Sequence, residues 1–405
     1  MTSLLRRSKA ESRIGGPRST VGGDLERQFR FTLAGELARE FAGRAAWHDR
    51  DASIPRESFD RLAACGLLSL TVPRRLDGAG AGLDEVAEII GRIARGDAST
   101  ALILAMHYLQ TAAIFRSRRW PRHLADALGT ASVMGDVALI NALRVEPELG
   151  SPGRGGLPAT IAHRSPEGWR LTGRKLYSTG SSILRWGLVW AQAAEQTVQT
   201  GFWLVPLDRP GVRIVESWDH LGMRATGSHD IVFEDVLVPL DHAVDLRRPE
   251  QWSEPDPVGL AWNTLTIAAL YNGVAEAARD WLIEHLKSRI PSNLGAALAT
   301  LPRFQEAVGE IDRLLRINRR LIASATAEID ADPQALGLVE PGQIKVTVTG
   351  NAIQAVERAL ELSGNPGLSR ANPLERYHRD VLCSRIHSPQ NDSILIAAGR
   401  AALGV

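Results

Sequence analysis

The sequence predicts an α+β multidomain chain: a helical N-terminal domain, a middle β-barrel or sandwich, and a C-terminal four-helix bundle. Three observations predict it. Apolar residues recur near helical spacing through roughly the first third of the chain. Between residues 158 and 245 the pattern switches to short alternating runs broken by turn residues. From Trp262 the helical period returns and persists to the end. At 405 residues the chain exceeds what one simple core organises, so two or three domains are expected. The expected division is a disordered basic tail over 1–24, a helical domain over 25–130, a β domain over 131–245 and a helical bundle over 246–405.

In the tail, Arg6, Arg7, Lys9, Arg13 and Arg18 face one acid, Glu11, which reads as a frayed terminus with a faint likeness to a transit peptide. Leu25, Phe29, Phe31, Leu37, Phe41 and Ala45 predict a helix over 25–48. A second runs from Pro55 to Cys65, with Ser53 as its cap and Gly66 closing it. A third spans Leu83 to Arg95, and Asp97 then caps a strongly apolar helix containing His107. Strands are expected at Trp169–Leu171, Lys175–Tyr177, Leu188–Trp190, Phe202–Val205, Val212–Val215, Asp230–Phe233 and Val236–Val238. Long helices follow at about 260–290, 296–330 and 342–362, with shorter ones at 375–386 and 391–403.

Composition narrows the function. Forty-seven basic against 46 acidic side chains leave almost no net charge, which argues against nucleic acid as a partner. Cys65 and Cys383 are too far apart for metal spacing and exclude a disulfide framework, so a reducing, cytoplasmic setting is expected and no metal. No run of 18 apolar residues exists, so no membrane span is expected. The glycine-rich Gly150–Gly156 lacks a strand–loop–helix setting and is rejected as a dinucleotide phosphate loop.

The run from Trp218 to Pro239 holds Gly222-Met223-Arg224-Ala225-Thr226-Gly227 and a strand ending in Val238-Pro239. It resembles the hallmark stretch of the acyl-CoA dehydrogenase superfamily, and the likeness extends over about residues 30–405. That resemblance implies FAD, with FMN as the alternative. Leu171–Gly180 resembles the segment that covers the flavin, with Tyr177 as the stacking aromatic and Thr179 as its polar contact. A ring system with an apolar face and a polar edge needs both. Val145–Ser151 resembles the loop beside flavin and substrate, but Val145 replaces a hydroxyl residue while Ser151 keeps its place. Gly364, Asn365 and Gly367 resemble the glycine loop that meets the adenine half of FAD across a subunit interface, and read without the resemblance they are a helix C-cap. Arg289 and Gln305 are candidates for the pair that reaches the same cofactor from a partner, at unusual spacing. Long apolar C-terminal helices and that glycine loop together imply a homotetramer.

Dehydrogenation of a thioester needs a carboxylate base. In the superfamily it lies nine residues after an Arg-Asp arginine, which counts from Arg379 to Ser388, or on the first long C-terminal helix, which aligns with Asn263. Neither is an acid. Arg379 followed by His387-Ser388-Pro389 resembles instead the flavin-dependent monooxygenase branch typified by dibenzothiophene monooxygenase, and His107 matches that branch's N-terminal histidine. The resemblance makes His387 and His107 the catalytic candidates, as imidazoles titrating near neutrality and delivering protons where reduced flavin meets oxygen. Three functions compete. One is a two-component monooxygenase, fed by a flavin reductase, acting on a small organic substrate. The second is an acyl-CoA dehydrogenase with a displaced base, Glu254 or Asp256, passing electrons from an acyl thioester to an electron-transfer flavoprotein. The third is a non-catalytic flavin- or acyl-binding protein.

Overall fold

A computed structural model describes residues 20–148, 156–195 and 197–405. Among the described residues five α-helices come first: α1 (Thr20–Asp51), α2 (Arg56–Ala64), α3 (Leu83–Gly96), α4 (Ala98–Arg116) and α5 (Arg122–Val133). Because α1 begins at Thr20, the tail boundary expected at 24 falls inside a helix, and the basic residues of that tail lie outside the described residues. Ser53 does not cap α2: its hydroxyl is 3.0 Å from His48 Nδ1, and Pro55 holds the N-cap position. Asp97 caps α4 as expected, accepting from the amides of Ser99 and Thr100.

Helix α4 is long and apolar enough, by length and composition alone, to cross a membrane, yet 78% of that stretch is buried inside the protein. It packs between α3, α6 (Pro257–Ser288) and the first strand, which explains why it is apolar on nearly every side.

The middle of the chain forms β1 (Leu139–Leu143), β2 (Ile161–Ser165), β3 (Gly168–Lys175), β4 (Leu184–Ala193), β5 (Gln199–Pro206), β6 (Val212–Val215), β7 (Asp230–Val238) and β8 (Ala243–Arg247). These make one mixed sheet in the order β6-β7-β3-β2-β4-β5-β8, with β1 beside β4. Strand β4 pairs in parallel with β1 and with β2, and antiparallel with β5. Strand β4 thus meets three partners, which makes it the centre of the expected β domain, and among the described residues β6 and β8 do not pair with each other. Which distant strands pair is a non-local matter that local alternation does not report.

The C-terminal bundle comprises α6, α7 (Pro302–Ala331), α8 (Glu340–Ser363), α9 (Asn365–Leu368), α10 (Leu374–Leu382) and α11 (Asn391–Leu403). Helix α6 is its axis, touching α3, α4, α7 and α8. A Cβ on Gly273 would stand 2.2 Å from the Gly91 carbonyl, so glycine is what lets α6 and α3 cross so closely. A continuous apolar core runs from Leu37 of α1 through Trp203 of the sheet to Val381 of α10. Each fully buried Leu or Phe in it contributes about 1.5–3 kcal/mol.

The three layers meet at Arg379-Asp380. The Arg379 guanidinium donates to both carboxylate oxygens of Asp49 on α1 (2.9 and 2.6 Å) and to the Leu221 carbonyl. Asp380 accepts from the Met223 amide at 2.6 Å. Gly222 makes this approach feasible, since a Cβ there would lie 2.3 Å from the Arg379 carbonyl oxygen.

Candidate active site at the domain junction

Strand β3 ends in a turn that throws Tyr177 outward. Its φ of 54° is unfavourable for a bulky side chain, and the ring is 54% exposed beside a cavity of about 340 Å³. Trp218 and His220 stack with ring centroids 3.6 Å apart, and Tyr177 stands edge-on to both. Neighbouring Ser178 is buried with its hydroxyl unpartnered. An outward-facing aromatic held in a strained conformation suits a flat ring that stacks on it.

The Thr179 hydroxyl belongs to a relay with a fixed direction. Thr226 spends its single O–H on the Met223 carbonyl at 2.9 Å. Toward Ser228, 2.8 Å away, Thr226 therefore accepts; Ser228 has then spent its own proton and accepts from Thr179 at 3.0 Å. What Thr179 has left is lone pairs. It is suited to hold an N–H of a flavin, and with Tyr177 it makes a cradle that fits an isoalloxazine.

Beside this turn, Lys175 and Glu146 form an ion pair at 2.5 Å with side chains 0% and 1% exposed. Glu146 also accepts from the amides of Ala159 and Thr160. Burial pushes the Lys175 ammonium down to about 8, while Lys175 and these donors hold the Glu146 carboxyl low against its own desolvation. The pair anchors the loop carrying Val145, whose carbonyl accepts from the Leu176 amide at 2.9 Å. Ser151 lies outside the described residues.

At the bundle end of the site, Asn263 Nδ2 donates to the Ser388 carbonyl at 2.8 Å. The two positions read as empty acid slots, 125 residues apart, are thus in contact. His387 precedes Ser388, half-buried, its ring centroid 5.6 Å from that of Tyr271. Neither of its ring nitrogens is hydrogen-bonded among the described residues. Burial first, and then the Lys345 charge, push its pKa down to about 4. The expectation of an imidazole titrating near neutrality is corrected: His387 is neutral at pH 7, ready to accept a proton and not loaded with one. Asp380 connects the two halves of the site, accepting from the Met223 amide below the Thr179 relay while its charge acts on Tyr271. Burial raises its carboxyl to about 7. The sequence offered the Arg-Asp pair as a ruler for counting, and burial is what gives Asp380 its own character.

His107 is corrected more fully. Its side chain is 1% exposed, Nε2 lies 2.8 Å from the Leu68 carbonyl, and Nδ1 accepts from the Ile140 amide at 3.4 Å. With both nitrogens engaged by backbone, it ties α4 to β1 and has no atom free for proton transfer. Burial lowers its pKa to about 4. The structure does not bring it to His387.

The remaining candidates sit elsewhere. Gly364 (φ 61°) ends α8, and the Gly367 amide is already bonded to the Gly364 carbonyl at 3.0 Å; exposed Asn365 begins α9. Arg289 caps the C-terminus of α6 and Gln305 donates to the Ala299 carbonyl, both exposed along the α6–α7 connection. None of these contacts Tyr177, Thr179 or Asn263. Asp256, offered as a displaced base, is spent capping α6, its Oδ1 2.8 Å from the Gly259 amide; Glu254 is exposed.

Profiles of the acyl-CoA dehydrogenase N-terminal, middle and C-terminal domains match residues 24–117, 145–236 and 265–391. The chain is 32% identical to YdbM of Bacillus subtilis, an acyl-CoA dehydrogenase by assignment only, over 93% of this chain and 96% of that protein. It is 31% identical to L-evernosamine nitrososynthase of a Micromonospora species, over 91% and 88%. Among solved structures it superposes on KijD3, in complex with FMN and dTDP-3-amino-2,3,6-trideoxy-4-keto-3-methyl-D-glucose, with a TM-score of 0.81 at 28% identity over 93% and 94% of the two chains.

Proposed function

The chain belongs to the acyl-CoA dehydrogenase family, and with it is a flavin-dependent oxidoreductase; on that premise we propose that it is an oxygen-using member. It is a two-component monooxygenase that receives reduced flavin from a separate reductase and oxidises a small organic substrate. The observation that carries this reading is the Asn263–Ser388 contact. Abstraction of an α-proton needs a positioned base, worth about 10²–10⁴-fold in rate. An amide and a serine in the two base positions supply none.

A bound flavin supplies the electrons that activate oxygen. The chain's own residues do the rest. Tyr177 stacks, and Thr179 accepts an N–H, of which a reduced isoalloxazine has more than an oxidised one. Asn263 and Ser388 line the place where a thioester's α-carbon would need its base. Neutral His387 accepts a proton from the substrate. The nitrososynthase relative and the amino sugar bound to KijD3 support an amine as the reacting group.

Acyl-CoA dehydrogenation is the second reading, favoured by the likeness to YdbM. One experiment separates them. Anaerobic addition of butyryl-CoA to the oxidised holoenzyme should leave the flavin spectrum unchanged, while the holoenzyme given reduced FMN should consume oxygen faster with an amino sugar nucleotide present. Bleaching by butyryl-CoA would overturn the monooxygenase reading.

A cytoplasmic homotetramer belongs to the same proposal. Helix α11 leaves Leu395 (55%), Ile396 (56%) and Leu403 (78%) exposed and buries Ile394, an apolar face suited to a second copy. Sedimentation of a monomer at micromolar concentration with flavin tightly held would contradict it.

A further inference from the structure

Lys345 on α8 is 1% exposed. Its ammonium donates to the His387 carbonyl at 2.8 Å, the Pro389 carbonyl at 2.9 Å and Asn391 Oδ1 at 3.4 Å. All three hydrogens go to one turn, and none of the three acceptors is a carboxylate. The other deeply buried lysine shows the usual arrangement, with Lys175 against Glu146. A cation withdrawn from water without a counter-charge is expensive, and neutral residues can hold a turn without that penalty. The gripped turn carries the His387 ring and the Ser388 carbonyl that meets Asn263.

Among the described residues, helix α6 presents the Tyr271 ring to His387 and α8 presents Lys345; Cys383 and exposed Arg385 precede His387 in the chain. Asp380, on α10, reaches Met223 and influences Tyr271; the charge that acts on His387 is that of Lys345.

We propose that Lys345 is a positioning residue for His387: its bonds hold the turn that places the ring, and its charge keeps the ring in the neutral form, the form from which His387 can accept a proton from the substrate's reacting group. This rests on the monooxygenase reading, in which an amine substrate arrives as an ammonium. One N–H bond of the substrate breaks, its electron pair stays on nitrogen as the nucleophilic lone pair, and the proton bonds to an imidazole nitrogen. The imidazolium so formed faces Lys345, and the repulsion favours passing its proton to water.

Separating charge from bonding tests the proposal. Lys345→Gln keeps an N–H donor for the turn and removes the charge; Lys345→Arg keeps the charge; Asn391→Ala removes one bond only. Histidine-selective ¹⁵N NMR of the full-length holoenzyme, with His387 assigned by the signal lost in His387→Ala, reads the protonation midpoint. The expected midpoint is about 4 in the wild type. It should stay low in Lys345→Arg and Asn391→Ala and rise in Lys345→Gln, stopping short of the ordinary 6.5 because burial, the larger cause, remains. The acid limb of the kcat/KM profile should move with it. A Lys345→Gln midpoint equal to the wild type would overturn the proposal, as would a rise of the same size in Lys345→Arg. If Lys345→Gln does not fold, a midpoint near 6.5 in Lys345→Arg or in the wild type overturns it alone. The titration uses neither substrate nor oxygen, so its outcome is independent of whether the monooxygenase reading fails.

Discussion

His107 and His387 look alike in one respect: burial holds both near a pKa of 4. They differ in everything that decides function. His107 sits in the seam between α4 and β1 with both nitrogens committed to backbone groups of Leu68 and Ile140. His387 sits on a turn, half-buried, with both nitrogens uncommitted among the described residues and a lysine fastened to its own carbonyl. The difference teaches that a depressed histidine pKa marks burial, and the hydrogen-bond ledger separates a structural imidazole from one able to move a proton.

The largest effect that sharpens this contrast is expected on turnover. His387→Ala should lower substrate-dependent oxygen uptake by about 10²–10⁴-fold, as for loss of a proton-transfer group. Flavin affinity should hold, because the cradle of Tyr177 and Thr179 lies on the sheet side. Full activity in the variant would break the comparison at its functional end.

Next comes the anchor of the sheet side. Glu146→Ala strands the Lys175 ammonium in a site 0% exposed and should cost about 3–5 kcal/mol in urea unfolding. A loss below 1 kcal/mol would show that water reaches Lys175.

A third expectation concerns pH. His107 goes from an unfolded value near 6.5 to about 4 when folded, so the unfolded chain binds a proton that the native chain refuses. Stability is complete above pH 6.5 and falls as pH drops toward 4, by about 3 kcal/mol from this group. Asp380 works in the opposite sense. Its carboxyl rises from 3.8 to about 7, so its contribution is present at low pH and is lost as pH climbs through 7. Asp380→Asn should therefore make acid destabilisation between pH 7 and 4 steeper, measured as the urea midpoint against pH. An unchanged slope would place the Asp380 carboxyl at an ordinary value.

The smallest effect lies in the hydroxyl relay. Thr226→Val removes the donation to Met223, freeing Thr179 to donate as well as accept. The preference for reduced over oxidised FMN should shrink by about threefold, within the 0.5–1.5 kcal/mol of one hydrogen bond. Equal dissociation constants for the two redox states in the wild type would dispose of the relay's direction.

By itself the sequence determined the order of helices, strands and helices, because periods of 3.6 and 2 are local properties of the chain. It also carried the Asp97 cap and the counting that led to Ser388 and Asn263, which the Asn263–Ser388 hydrogen bond brings together across 125 residues, while it placed Tyr177 in a strand where the structure has a turn. Tertiary structure alone decided the strand order, since it depends on which distant strands pair. It decided His107 through Leu68 and Ile140, which belong to other elements, and Thr179 through a proton direction set at Met223. It decided His387 through Lys345, 42 residues away in sequence. The physical reason is the same each time. The sequence names a side chain, while its protonation and free lone pairs depend on how much water is excluded around it and on which donors and acceptors the fold brings within about 3 Å.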